Sequence, residues 1–367
     1  MSRTALATLM ALGLIACESK KPQATNTAAQ TAAQTTGAKK EAPKDPRATA
    51  REHAALFGAL PESFDKKDSP ASDDMITLGR TLYYESRLSK NHDLSCNSCH
   101  GLDTFGVDNK PTSTGHKGQL GTRNSPTVYN AAGHTTQFWD GRAADVEAQA
   151  KGPILNPVEM AVKDEAAAVA TLKSIPGYIN LFKKAFPKDE DPITYDNMAA
   201  AIGAFERRLV TPAPWDKYLG GDDKALTDQQ IAGLNTFVEV GCTACHSGVL
   251  VGGGAFQKLG AVKPWPNLKD QGVFEVSKKD EDKMMFKPPS LRNIAKTGPY
   301  FHDGATAKLP DAIKMMGAHQ LGRDLTDQQV ADIAAWLDAL TGEIPADYIK
   351  KPELPASGPN TPKPDPS

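Results

Sequence analysis

The chain has 367 residues and a formal net charge of −2 at pH 7. This length exceeds one domain of ordinary size and accommodates two. The nearly balanced charge argues against nucleic acid and against a strongly acidic ligand as partners.

The first 17 residues are typical of an export signal. Arg3 precedes an apolar stretch, residues 5–15, that is too short to span a bilayer as a helix. The stretch is followed by Ala-Cys, and the ending LIAC is similar to a bacterial lipobox, which predicts that Cys17 is the lipidated first residue of the mature protein. A cleaved signal that merely contains a cysteine is the alternative. Together with a polar, low-complexity tether at 18–50, the pattern predicts a periplasmic lipoprotein that meets the membrane only through its lipid anchor.

Helical patterns dominate the rest of the chain. Segments 227–240 and 326–340 each open with Thr-x-x-Gln, a capping box, and continue with apolar residues at helical spacing. Residues 73–86 and 195–210 show the same spacing, whereas strands with period-two alternation are scarce. We therefore predict a mainly α fold with long loops. The final segment, 351–367, is so rich in proline that it predicts a disordered tail.

An internal repeat indicates that a whole domain was duplicated. Residues 126–141 align without a gap on residues 289–304, and each copy follows its own CxxCH pentad. The identical pairs are Pro126 and Pro289, Asn130 and Asn293, Ala132 and Ala295, Phe138 and Phe301, Asp140 and Asp303, and Gly141 and Gly304. Proline and glycine cluster just after position 210, which predicts an N-terminal domain at 51–212 and a C-terminal domain at 213–350.

The two pentads, CNSCH at 96–100 and CTACH at 242–246, predict two c-type haems. Residues i and i+3 share a helical face, so both sulfurs can reach one porphyrin edge while the following histidine binds the iron. A thioredoxin-like motif would follow a strand in a βαβ unit, and a four-cysteine zinc site would leave two histidines unexplained. The predicted thioether residues are Cys96, Cys99, Cys242 and Cys245, and the predicted proximal ligands are His100 and His246.

The sixth iron ligands are predicted to differ between the halves. His116 lies in a loop with three glycines, and such a loop can change its backbone conformation at low cost. Met315 and Met316 lie at the end of a predicted helix in the second half. A thioether ligand raises the potential of a haem, so the second haem is expected to be the better electron acceptor. The alternative donors are His134, His302, His319 and Met160.

Two CxxCH sites with unlike sixth ligands resemble the bacterial dihaem cytochrome c peroxidases. The resemblance runs from about Met75 to Leu340 and includes the motifs LGRTLYYESRLS, SCNSCHG, FWDGRAADVEAQAKGPILNPVEM, PPSLRN, GPYFHDGA and MGAHQLG. It implies two tandem cytochrome c-like domains with their haems near the domain interface. The N-terminal haem would be peroxidatic, with His116 as a distal ligand that leaves before peroxide binds. The C-terminal haem would transfer electrons, with Met316 at the family's methionine position and Met315 as the adjacent alternative.

The resemblance also implies roles for residues around the peroxide pocket. It places Gln149 and Glu159 at that pocket, Phe138 beside it and Trp139 between the haems. Glu159 is the expected general acid and base, because burial in a haem pocket raises the pKa of a carboxyl group. Gln149 is expected to hold peroxide by hydrogen bonding.

A calcium ion between the domains is implied as well, held by the side-chain oxygen of Asn124 and the carbonyl oxygens of Thr297 and Pro299. The expected reaction reduces hydrogen peroxide to two waters with electrons from a small cytochrome c or cupredoxin, and the family commonly forms homodimers. Two other functions stay open. One is a dihaem electron-transfer cytochrome without catalysis, and the other is a MauG-like enzyme that oxidises side chains of a partner protein.

Overall fold

The structure is a computed structural model that describes residues 45–367. Cys17, the predicted export signal and residues 18–44 of the predicted tether lie outside the described residues. Between residues 45 and 367, no helix combines the length and the apolar character needed to cross a membrane.

Helices carry the fold, as the sequence predicts. The α-helices of the described residues are α1 Pro46–Ala54, α2 Asp73–Tyr83, α3 Cys96–Cys99, α4 Val146–Leu155, α5 Glu165–Lys173, α6 Pro176–Ala185, α7 Tyr195–Glu206, α8 Pro214–Leu219, α9 Asp228–Glu239, α10 Phe274–Ser277, α11 Leu309–Met315 and α12 Asp327–Asp338. The short strands β1 Gln257–Lys258 and β2 Met285–Phe286 pair in antiparallel fashion.

The two capping boxes that the sequence predicts begin α9 and α12. The Thr227 hydroxyl accepts a hydrogen bond from the backbone N–H of Gln230 at 3.3 Å, and the Gln230 side chain accepts one from the N–H of Thr227 at 2.9 Å. Thr326 and Gln329 make the same pair of bonds at 3.2 and 3.0 Å. Each box satisfies two N–H groups that a helix start leaves unpaired, so it fixes where the helix begins.

Each half of the chain is organised around one close helix crossing. A Cβ atom on Gly79 of α2 would lie 1.8 Å from the carbonyl oxygen of Ala201 in α7. A Cβ atom on Gly233 of α9 would lie 1.9 Å from the carbonyl oxygen of Asp332 in α12. Only glycine permits backbones to approach so closely. The same contact in both halves supports the duplication inferred from the sequence repeat.

The repeated segments have the same backbone conformation. Asn130 and Asn293 both adopt positive φ, at 60° and 62°. A β-bridge closes the loop between Gln137 and Ala143, and the equivalent bridge joins Tyr300 and Thr306. The repeat is therefore structural as well as sequential, and it frames corresponding loops near the two pentads.

Thr211, which is fully buried, joins the two repeats. Its hydroxyl oxygen accepts hydrogen bonds from the side-chain amides of Asn130 and of Asn293, each at 2.9 Å. The Asn130 side-chain oxygen accepts from the N–H of Thr211, and that of Asn293 accepts from the N–H of Gly342. Thr211 thus lies at the seam between the two halves, the boundary near residue 212, and connects both repeats in one hydrogen-bond network.

The predicted domain boundaries differ from the packing at both ends of the chain. Helix α1 begins at Pro46, within the predicted tether, and Ala50 and Ala54 pack in the core of the second half. In the opposite sense, Ile349 packs in a core of the first half, where the Tyr84 hydroxyl donates to its carbonyl oxygen at 2.6 Å. The start of the described chain therefore packs on the second half, and the segment around Ile349 packs on the first half.

The expectation of a disordered tail at 351–367 is corrected. The tail has no helix or strand, as its proline content predicts, yet it lies against the first half. Arg87 donates to the carbonyl oxygen of Pro355 at 2.7 Å and to the Ser357 hydroxyl at 2.8 Å. The N–H of Asp365 donates to the carbonyl oxygen of Lys90 at 3.0 Å. An extended, proline-rich segment can dock through backbone carbonyls without packing a core of its own.

Candidate functional site

The first pentad lines a cavity in the N-terminal half, here called the first cavity. Cys96 and Cys99 flank the single turn of α3, and both line this cavity together with His100. The Nδ1 atom of His100 lies 3.0 Å from the carbonyl oxygen of Pro126, to which it donates a hydrogen bond. This bond orients the ring and leaves Nε2 as the ligating nitrogen.

The second pentad repeats the arrangement in a second cavity, lined by Cys242, Cys245 and His246. The carbonyl oxygens of Val251 and Pro289 accept hydrogen bonds from His246, and burial lowers its pKa to about 4. Burial also lowers the pKa of His100. Both rings are therefore neutral at pH 7, which is the form that binds iron.

The first proline of the sequence repeat has a physical role in this arrangement. Pro126 and Pro289 occupy equivalent positions, and each supplies a carbonyl oxygen to the histidine of its own pentad. The four cysteines of residues 45–367 are free thiols and lie in two pairs, each pair beside a neutral, oriented histidine. This donor set fits two covalently attached c-type haems.

Glu159, Gln149 and Phe138 line the first cavity with His100. Burial raises the pKa of Glu159, although a hydrogen bond from Asn156 and the charge of Arg142 partly oppose the rise. The Asn156 amide donates to Glu159 Oε1 at 2.7 Å. The structure thus brings the carboxyl and amide groups that the resemblance implies into the cavity of the first pentad.

His116 lies behind this wall. Its backbone N–H donates to the carbonyl oxygen of Glu159 at 2.8 Å, and a Cβ atom on Gly115 would lie 1.9 Å from the carbonyl oxygen of Val158. The His116 ring is buried, and its Nε2 has no hydrogen-bond partner among the described residues. It is not among the side chains that line the first cavity. The structure therefore holds His116 against the Glu159 segment and outside the cavity itself.

The two adjacent methionines differ in their surroundings. Met316 lines the second cavity with His246, at the start of a π-helical turn, Met316–Gln320. Both methionines pack against the same small apolar cluster around Trp265, but Met315 does not line the second cavity, and its sulfur accepts a hydrogen bond from the Thr306 hydroxyl at 3.4 Å. A π-helical turn inserted after a helix re-aims the following side chains and is common at functional sites. The geometry favours Met316 as the sixth ligand.

The alternative donors occupy varied places. His134 and His302 line the second cavity, and the Nε2 atom of each is buried without a partner among the described residues. His319 donates to the carbonyl oxygen of Pro264 at 2.9 Å and is not among the residues that line the second cavity. Met160 is buried and lines the first cavity.

Trp139 and Asn124 line both cavities. The Trp139 indole N–H donates to the carbonyl oxygen of Asn124 at 2.9 Å, which fixes the ring between the cavities. The Asn124 amide donates to the carbonyl oxygen of Lys110 at 2.9 Å, and this bond does not use the side-chain oxygen that the calcium prediction requires. Thr297 and Pro299, the other residues expected at the calcium ion, line the second cavity with Asn124.

The sequence analysis missed Glu206, a buried carboxyl group that also lines the first cavity. It ends α7, and nothing in the pattern of that helix separates it from an exposed glutamate. Burial, followed by the negative charge of Glu147, raises its pKa to about 8. Glu206 is therefore a neutral acid at pH 7, close to Cys96.

We expect Glu206→Gln to stabilise the protein at pH 7.5 by on the order of 2 kcal/mol. At this pH the glutamate ionises readily in the unfolded chain but not in the folded protein, so its ionisation favours unfolding. Glutamine cannot ionise and removes this effect. The stability that the protonated Glu206 provides is complete below about pH 4.5 and is lost as the pH rises towards 8. Denaturant unfolding of the holoprotein at both pH values measures the difference, which should vanish at pH 4.5.

Glu147→Gln is the matched control with the opposite sign. The Glu147 carboxylate of the wild type pairs with Arg207 at 2.7 Å, and hydrogen bonds from Arg207 lower the Glu147 pKa despite burial. That variant should be less stable at pH 7.5 and regain parity at low pH. A stability change in Glu206→Gln that does not vary with pH would contradict the assignment.

Two families match successive parts of the chain. The family described as di-haem cytochrome c peroxidase matches residues 73–224, and the family described as cytochrome c matches residues 232–341. The two matches cover the two halves in order. They confirm the prediction of two tandem cytochrome c-like domains.

Relatives match over most of their length. A cytochrome c551 peroxidase of Pseudomonas aeruginosa is 48% identical over 318 residues, which cover 85% of this chain and 91% of the relative. The methylamine utilization protein MauG of Methylorubrum extorquens is 32% identical, with 79% of this chain and 84% of the relative covered. A crystal structure of a MauG-like protein associated with microbial copper homeostasis superposes with a TM-score of 0.70 at 30% identity, covering 80% of this chain and 97% of that one.

Proposed function

This chain belongs to the di-haem cytochrome c peroxidase family and is an enzyme with two c-type haems, and we propose that it reduces hydrogen peroxide to two waters. Two electrons would come from a small cytochrome c or cupredoxin, and two protons from solvent through the protein. The observation that carries the proposal is that Glu159 and Gln149 line the same cavity as His100. A carboxyl group of raised pKa and a neutral amide are the groups that peroxide cleavage needs.

The bound haems would supply the redox-active iron, and the side chains would supply positioning and protons. Gln149 holds peroxide through its amide. Glu159 accepts a proton from one peroxide oxygen and returns it to the other, which leaves as water. Asn156 fixes Oε1 of Glu159 at 2.7 Å, so the carboxyl group keeps one orientation during the transfer. Arg142 stacks 3.5 Å above the Phe138 ring and restrains this side of the cavity.

The second cavity is the electron-accepting side in this proposal. Met316 lines it, and a thioether ligand favours ferrous iron. His116 would serve as a displaceable ligand of the first haem, released when the second haem is reduced. Because its ring lies outside the first cavity in this structure, its loop would have to move for the ring to reach the iron. Lys117 and Gly118 both adopt positive φ, so the loop that carries His116 holds a local bend that a second conformation could release. A periplasmic location, a lipid on Cys17, a calcium ion at Asn124 and a homodimer complete the proposal.

Trp139 is proposed to carry electrons between the haems. Trp139→Leu removes the ring that lines both cavities, and we expect electron transfer between the haems to slow roughly tenfold or more, which corresponds to about 1.4 kcal/mol in the barrier. Stopped-flow reduction of the oxidised protein measures the rate. Trp265→Leu is the matched control, because Trp265 is buried in the same apolar cluster without lining either cavity. If Trp139→Leu lowers stability but leaves the rate of electron transfer between the haems unchanged, Trp139 has only a packing role.

A peroxide turnover assay with a reduced small cytochrome tests the function. We expect turnover after half-reduction of the protein and a high-spin haem that the fully oxidised form lacks. Turnover without half-reduction would support the peroxidase activity and contradict the proposed release of His116 on reduction. Electron transfer without peroxide consumption would show an electron carrier, and oxidation of side chains in an added protein would show a MauG-like enzyme. The methionine at position 316 favours peroxidase over the last alternative.

A further inference from the structure

The second cavity contains a buried cation. Lys287 has an exposed fraction of 6% and lines the cavity with His246. Its Nζ atom lies 2.7 Å from Nδ1 of His134. In the described part of the chain, no carboxylate lies within ion-pair distance of Lys287. A buried ammonium group without an anion is costly, so this one indicates an anionic partner that the protein chain itself does not supply.

The hydrogen bond between Lys287 and His134 defines which protons face the cavity. A lysine ammonium group can only donate, so His134 accepts at Nδ1 and carries its proton on Nε2. That Nε2–H is buried and has no partner among the described residues. Burial and the charge of Lys287 lower the pKa of His134 to about 3, so the ring stays neutral. Lys287 and His134 therefore offer two adjacent hydrogen-bond donors and one positive charge.

A glycine loop brings this pair close to the iron-binding histidine. A Cβ atom on Gly252 would lie 3.1 Å from Nδ1 of His246, and one on Gly253 would lie 2.5 Å from Cδ2 of His134. Consecutive residues of one loop thus touch the two histidines. The charge of Lys287 is buried in the cavity that is to hold the second haem, where the low local polarity strengthens its effect on a nearby ion.

A haem carries carboxylate side chains at its edge, and a carboxylate is an anion that this pair of donors can bind. We infer that Lys287 and His134 bind a carboxylate side chain of the second haem and thereby raise the reduction potential of that haem. Neutralising a carboxylate beside the iron disfavours the ferric state, because the ferric state carries one more positive charge and gains more from a nearby anion. The effect has the same sign as that of a methionine ligand.

The repeat shows that this charge belongs to one half only. Lys287 lies two residues before Pro289, and Asn124 lies two residues before Pro126, so they occupy equivalent positions in the repeat. Their backbones make reciprocal hydrogen bonds, from the N–H of Lys287 to the carbonyl oxygen of Trp139 at 2.9 Å and from the N–H of Asn124 to that of His302 at 2.8 Å. The position that is a cation in the second half is therefore a neutral amide in the first. Lys287 therefore has no charged counterpart at the equivalent position of the first half.

Spectroelectrochemical titration of both haems in the purified holoprotein tests the inference. In Lys287→Gln, the ratio of reduced to oxidised second haem at a fixed applied potential should fall about tenfold or more, whereas the first haem should titrate as in the wild type. Lys287→Arg should keep the wild-type ratio. His134→Leu, which removes the Nε2 donor, should lower the ratio by a smaller factor. Lys283→Gln, an exposed lysine of the same half, controls for net charge.

Three results would overturn the inference. The first is an unchanged second-haem potential in both Lys287→Gln and His134→Leu. The second is a shift confined to the first haem. The third is a wild-type potential that varies with chloride at constant ionic strength, because that would show a mobile anion in place of the haem carboxylate. If Lys287→Gln fails to retain haem, His134→Leu and Lys287→Arg still decide the question. None of these measurements uses peroxide, so their outcome is independent of the proposed peroxidase activity.

Discussion

Peroxide turnover in Glu159→Gln is expected to fall by about 10²–10⁴-fold, the range that a positioned acid and base contributes. Glutamine keeps the shape of the side chain and can still contact Asn156, but it cannot exchange a proton. Binding of both haems should be unaffected, because the Glu159 side chain accepts from Asn156, whereas the ring of His100 is oriented by the carbonyl oxygen of Pro126. Steady-state assays with reduced donor, combined with absorption spectra of both haems, measure the two effects.

Glu165→Gln is the control for this experiment. Glu165 is an exposed residue in the first turn of α5, so its charge should not influence the first cavity. Full turnover in Glu159→Gln would remove this residue from the mechanism. A loss of turnover that comes with an altered first-haem spectrum in the oxidised protein would instead assign Glu159 a role in maintaining the site.

Met316→His should lower the potential of the second haem and reduce donor-driven turnover at least about tenfold, equivalent to about 1.4 kcal/mol in the limiting barrier. A second imidazole stabilises ferric iron, so the second haem would no longer accept electrons readily from a donor of moderate potential. The absorption band of methionine-ligated ferric haem should disappear. Redox titration and turnover measurements follow both consequences in the same preparation.

Met315→Leu separates the two adjacent methionines. Met315 packs in the apolar cluster with Trp265, and its sulfur is bonded to the Thr306 hydroxyl, so leucine should cost a modest amount of stability and leave the potential unchanged. The opposite pattern, with an altered potential in Met315→Leu and an unaltered one in Met316→Leu, would exchange the two assignments.

Features that depend on neighbouring residues could be predicted from the sequence. The CxxCH pentads follow from the covalent chemistry of haem attachment, which fixes the spacing of its residues. The starts of α9 and α12 follow from capping boxes only four residues long. The repeat could be recognised because both copies do the same local task. The carbonyl oxygen of Pro126 orients the histidine of the first pentad, and that of Pro289 orients the histidine of the second.

Features that depend on tertiary contacts could not be predicted in this way. The choice between Met315 and Met316 depends on a π-helical turn, which has no local signature in the sequence. Glu206 gains its raised pKa from burial beside the first cavity, and its helix is otherwise regular. The proline-rich tail has the composition of a linker, and only the position of Arg87 in the folded chain shows where it docks. The peroxide-pocket residues were accessible only through resemblance to a family.

The hydroxyl group of Thr211 restricts how this polypeptide can be divided. It is the common acceptor for two buried asparagine amides, one from each repeat, and each end of the described segment, residues 45–367, packs on the opposite half. A fragment that stops near the seam would strand the amide of Asn130 or Asn293 in an apolar interior and expose a core surface. We therefore expect that neither half folds on its own and that co-expressed fragments become soluble only when they associate.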